Sequence, residues 1–163
     1  MSKLALPIRY AIAISGLLIS YFLVISLLGW HTNPLFSLFN GVITAFGIYE
    51  AIKGYKLRKN EAFTYADGFS VGIVTGFVAT LLFTIFFGIY AGNIAPSFLD
   101  NFMGPWGSST SLGIILFTVA IGGFATTAVV TLSFMQLFKT SWNTTKPENT
   151  TEFMGEEVVG LKE

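Results

Sequence analysis

Four runs of apolar residues, at 10–29, 34–53, 68–90 and 112–138, leave this chain little choice of fold. Each holds about 20 residues or more, enough at ~1.5 Å per helical residue to cross the ~30 Å hydrocarbon core of a bilayer. Hydrocarbon offers no partner to a backbone N–H or C=O, so a long apolar run crosses it as a helix, which pairs those groups within itself. The composition points the same way: 53% of the residues are hydrophobic, 11% are charged, and the mean hydropathy is +0.68, whereas about a quarter of a soluble domain is charged. The expected fold is all-α: a four-helix transmembrane bundle of two in-out-in hairpins over residues 1–138, followed by an acidic, Thr-rich, poorly ordered tail at 139–163.

The ends of the runs carry the local signals. Lys3 and Arg9 precede the first run, as in a signal peptide, but its length of about 20 residues exceeds the roughly 7–15 of a cleavable apolar region, so it reads as an anchor. Asn33-Pro34 sets a cap and a helix-starting proline before the second run,. Lys53, Lys56, Arg58 and Lys59 are expected to end that run. Thr64-x-x-Asp67 has the spacing of a capping box before the third run, with the Asp67 carboxylate at the positive end of the helix dipole,. In the connection at 92–111, Ser97-x-x-Asp100 opens a short segment whose Phe98, Leu99, Phe102 and Met103 share a face suited to the lipid interface,.

Lys and Arg are absent from the connections at 30–33 and 92–111 and gather on the other side, so the positive-inside rule puts both termini in the cytoplasm,. Trp30 and Trp106 at one boundary, and Tyr49, Tyr55, Tyr65 and Trp142 at the other, fit two aromatic belts,. Such a pattern predicts a multi-pass membrane protein. Its partners are the lipid bilayer and either a second copy or another membrane protein. Nine basic residues balance nine acidic ones, so no field points to nucleic acid,.

Inside the runs the clearest motif is Gly68-xxx-Gly72-xxx-Gly76, three glycines on one face of the third helix. Small faces let helices approach closely in lipid, within one chain or between copies. Matching stripes on the fourth helix are Thr118, Gly122 and Thr126 and, one residue over, Gly123, Thr127 and Thr131. A hydroxyl-lined pore is the other reading of those threonines, although Thr in helices usually bonds back to its own carbonyls. Glu50, one turn inside the end of the second helix, opposes the negative end of its dipole and needs a cation; Lys53 at i+3 and Arg9 across the first hairpin are the candidates,. Asn40 is placed for an interhelical hydrogen bond.

Catalytic residues are not evident. The single histidine, His31, has no second ligand or nucleophile at motif spacing, and there is no cysteine,. No metal or cofactor is implied. A conduit would need convergent polar groups at the midplane, and the runs offer only Thr, Ser and one Asn there. A non-enzymatic structural or accessory role is therefore expected, with a small oligomeric transporter or channel as the alternative.

Three stretches carry a likeness: the ten residues from Gly47 to Lys56 (GIYEAIKGYK), the ten from Phe63 to Gly72 (FTYADGFSVG), and the exit of the third helix from Tyr90 to Pro96. In these the chain resembles a bacterial family of small four-helix membrane proteins known as domain of unknown function 4199 (DUF4199), over about residues 9–138. The resemblance implies a cytoplasmic-membrane protein and brings no activity, cofactor or catalytic residue with it.

Overall fold

A computed structural model describes residues 5–29, 34–94 and 111–138 of the chain. Four helices account for nearly all of them: α1 (Ala5–Leu27), α2 (Pro34–Lys59), α3 (Tyr65–Ile89) and α4 (Leu112–Leu137). The Asn33 cap, Trp30, Trp106, the interface segment at 97–103 and the acidic tail lie outside the described residues. α1, α4 and the stretch Tyr65–Ile94 are each long and apolar enough to cross a membrane. α2, which carries Asn40, Glu50 and its basic end, packs alongside them to complete one transmembrane bundle.

Two helix ends differ from the sequence expectation. α1 begins at Ala5, more than a turn before Tyr10, with Pro7 in its first turn, where no intrahelical N–H bond is required,. α2 continues past Lys53 to Lys59 because Lys56, Arg58 and Lys59 in its last turn favour the negative end of the dipole,. A basic stretch marks where hydrocarbon ends, and the helix runs on into the polar layer. Asn60, at φ 47°, then ends α2 in the left-handed region that Asn tolerates better than most residues,. Gly29, at φ 69°, does the same after α1.

Contacts between the helices fix an up-down-up-down arrangement. Tyr21 Oη in α1 donates to the Phe36 carbonyl near the start of α2, at 2.9 Å, and Ile14 of α1 sits over Gly47 of α2, so these two are antiparallel. α1 and α3 are parallel: Thr75 Oγ1 lies 3.4 Å from the Pro7 carbonyl at one end, and Ser26 Oγ lies 2.7 Å from Tyr90 Oη at the other. Near that second end Phe22 stands edge-on to Phe87 and Tyr90, at 5.4 and 5.1 Å between ring centroids.

α3 is the central element, packed against α1, α2 and α4. Its buried residues are mainly small, namely Gly68, Gly72, Thr75, Gly76, Ala79 and Thr80, which is what lets three helices crowd around it,. The core follows it from one end to the other. Ile48, Ile52, Tyr55, Val71 and Met135 fill the first part, Ala11, Ile14, Leu18 and Ala79 the middle, and Phe87, Ala91 and Ile115 the far part. Leu17, Phe46, Ile85, Phe117 and Val129 point outward and are exposed, the arrangement a bilayer solvent demands,.

Candidate functional site

Two regions carry polar chemistry. The first is the seam of α3 with α4, which is built from glycine and threonine. A Cβ added to Gly72 would meet Thr131 Cγ2 at 2.5 Å and Oγ1 at 2.8 Å, and one added to Gly76 would collide with both branches of Thr127. Gly68 lies against Met135, with Sδ 2.7 Å from the same hypothetical atom. One turn beyond Gly76 the roles reverse, and Thr80 of α3 straddles Gly123 of α4. Each step of four residues up α3 is thus matched by four down α4, as antiparallel packing requires. Ile52 and Ile48 of α2 close the same glycine face from the other side.

The stripe of α4 that meets α3 is therefore Gly123, Thr127 and Thr131. Gly122 and Thr126 are a correction to the sequence reading: Gly122 is exposed with nothing within 4 Å, and Thr126 bonds back to the Gly122 carbonyl at 2.9 Å. Thr127 and Thr131 are wholly buried, and neither Oγ1 has a hydrogen-bond partner among the described residues. The two β-branches of each straddle a glycine of α3. Both side chains pack shut against α3 where a lumen would require them open.

The second region is the end of the bundle formed by the start of α1, the end of α2, the start of α3 and the end of α4. Every charged side chain among the described residues lies toward it: Arg9, Glu50, Lys53, Lys56, Arg58, Lys59, Glu61 and Asp67. Glu50 Oε1 is 3.4 Å from Lys53 Nζ in a largely exposed i, i+3 pair. Arg9 is exposed and makes no ion pair among the described residues, so the structure brings Glu50 together with Lys53 only. Asn40 Oδ1 is buried without a hydrogen-bond partner among the described residues, so the interhelical bond expected of it is not seen there.

The strongest polar contact was not anticipated from the sequence. Lys59 Nζ lies 3.0 and 2.9 Å from the two Asp67 oxygens, across the turn between α2 and α3. Asp67 also completes the capping box: it accepts from Thr64 N at 3.2 Å, and its own N–H donates to Thr64 Oγ1, also at 3.2 Å. The hydrogen bond to the Asp67 carboxylate raises the Lys59 ammonium above its usual lysine value. An eight-residue separation carries no helical signal. Only the reversal at Asn60 brings the two side chains together.

Aromatic rings stand beside Lys53 and Lys56. Lys53 Nζ stands 5.6 Å from the Tyr49 ring, and Lys56 Nζ stands 5.2 Å from Phe138 and 5.9 Å from Phe63. Tyr49 in turn packs on Phe138 at 5.7 Å and on Phe134 at 5.4 Å, joining α2 to α4. Among the described residues no three of His, Cys, Asp and Glu come together as a metal ion would need.

Comparison with curated proteins and with solved structures returns no match. A family profile does match, over residues 9–104. That segment takes in nearly all of α1, then α2, α3 and part of the connection after them, and stops short of α4, whereas the sequence likeness was drawn to residue 138. With more than half of its length so matched, the chain belongs to the family described as Protein of unknown function (DUF4199).

Proposed function

We propose that this membrane protein is a non-enzymatic structural or accessory component of a bacterial cytoplasmic membrane, with its charged end and both termini on the cytoplasmic side. The observation that carries the reading is the packing of its interior. Ile48, Ile52, Thr127, Thr131 and Met135 fill the space between α2, α3 and α4 with almost no exposure, Thr75 is buried toward α1, and among the described residues the charged groups stay at one end. A conduit or a catalytic centre within one chain needs convergent polar groups in that space. Affinity purification in mild detergent followed by mass spectrometry tests the proposal. A stoichiometric membrane-protein partner is the expected result; a chain recovered alone that conducts a solute in proteoliposomes would reverse it.

One observation favours the alternative of an oligomeric transporter or channel. Thr118 and Gly122 of α4 are exposed, and with Thr126 they form a small, hydroxyl-bearing stripe directed away from α3. A second copy packed there would line its contact with hydroxyls. Disulfide trapping of a Gly122→Cys variant in native membranes distinguishes the two, since the accessory reading expects no dimer through that position.

A further inference from the structure

The outer face of α2 changes character along its length in a way that the bundle's own packing does not require. Val42, Phe46, Tyr49, Lys53 and Lys56 recur at spacings of four and three, which is one face of a helix,. Val42 and Phe46 are 62% and 65% exposed, Tyr49 is half-buried against Phe134 and Phe138 of α4, Lys53 is exposed, and Lys56 rests between Phe63 and Phe138. Read toward the charged end, the face is aliphatic, then aromatic, then cationic. From Val42 to Lys56 it spans ~21 Å at 1.5 Å per residue, about half the ~40–45 Å of a bilayer with its headgroups. That is the length and the polarity profile of one lipid molecule.

Among the described residues, the charge at the top of this face is not neutralised. Lys59 is taken by Asp67, and Lys53 holds Glu50 only at 3.4 Å and largely in the open. Lys56 makes no ion pair among the described residues, which at this end of the bundle carry five cations against three carboxylates. Two ammonium groups one turn apart repel each other, and ring faces offset this only in part. An anion bridging them removes the repulsion.

We propose that this face of α2, with the rings of Phe134 and Phe138 beside it, binds an anionic glycerophospholipid. The headgroup phosphate sits between Lys53 and Lys56, the glycerol region lies on Tyr49, and an acyl chain runs along Phe46 and Val42. The rings hold the lysine stems in place before the lipid arrives, so fewer rotamers are lost on binding than at a free surface lysine.

The test uses the full-length protein in nonionic detergent and follows thermal unfolding as phosphatidylglycerol, phosphatidylcholine or inorganic phosphate is added. Phosphatidylglycerol is expected to raise Tm and the other two to leave it unchanged. The K53Q/K56Q pair should shift the phosphatidylglycerol midpoint by about 30-fold, from two lost ammonium–headgroup contacts. K53R/K56R should retain it, as should R9Q/R58Q, which removes the same charge elsewhere on the same end. Native mass spectrometry of wild type with an equimolar lipid mixture provides a readout that needs no variant, with a retained phosphatidylglycerol expected. Equal losses in the two charge-matched Gln pairs would overturn the proposal in favour of diffuse attraction. Stabilisation by inorganic phosphate would overturn it in favour of a free-anion site. A lipid preference appearing only after Glu148, Glu152, Glu156 and Glu157 are changed to Gln would make the chain's own acidic segment the occupant.

Discussion

A threonine straddling a glycine is the contact on which the α3–α4 pair is built, and it gives those glycines a measurable role. Gly76→Ala puts a methyl into both branches of Thr127, and a well-packed site that must take an extra carbon typically loses 1–3 kcal/mol,. Its Tm in detergent should fall clearly below that of wild type. Gly122→Ala, which meets nothing within 4 Å, should leave Tm unchanged or raise it, since Ala is favoured over Gly in a helix by ~1 kcal/mol,. Equal losses at the two positions would mean that Gly122 is packed against another chain. Glu50 yields a second residue-level prediction. Its pair with Lys53 is long and exposed, so Glu50→Gln should change stability by ~0–1 kcal/mol and leave the oligomeric state as it is,. Proton-coupled flux in proteoliposomes that vanishes with this one change would instead make the carboxylate a transport site.

At the level of elements, the turn between α2 and α3 is the best-specified local structure in the molecule. Asn60 reverses the chain, Thr64 and Asp67 cap α3, and Lys59 reaches across to Asp67. Thr64→Ala should cost about 1 kcal/mol, as loss of an N-cap generally does. Asn60→Val forces a β-branched residue to φ 47° and should cost about 1–2 kcal/mol, while Asn60→Gly should be tolerated,. Circular dichroism melts of the three variants check the order. The capping box was readable in the sequence because its residues sit three apart and touch within one turn. The Lys59–Asp67 bridge was not, because a backbone conformation at a residue between them decides it. The α3 glycine face was readable for the same local reason, a spacing of four. Which α4 stripe opposes it was not: the stripes of Gly122 and of Gly123 lie ~100° apart on one helix, both are small, and only the antiparallel register chooses between them,.

For the whole molecule, the charges of the described residues lie at one end of the bundle, and the membrane decides which compartment that end faces. Cysteines introduced at Thr32 and Ser108 should react with an impermeant maleimide in intact cells, and cysteines at Asn60 and Thr150 should not, because basic residues collect on the cytoplasmic side,. Labelling at Asn60 from outside would invert the orientation. Four helices and their pairing into hairpins were legible in the length of the apolar runs. The central position of α3 was not, because overall hydrophobicity is alike in α1, α3 and α4 and only the size of the residues on α3 sets it apart.

The exchange of glycine from α3 to α4 partway along their contact has a mechanical meaning. If α4 slipped by one turn in one direction, Thr80 would face Thr127, two branched side chains in space made for one; in the other direction, Gly76 would face Gly123 across a void. No neighbouring register offers an equivalent fit, and a turn is ~5.4 Å, too far for side chains to absorb. A one-turn ratchet of one helix past another needs interchangeable notches a turn apart. This pair is keyed to a single notch, so a displacement as large as a turn must carry α3 and α4 together as one strut,.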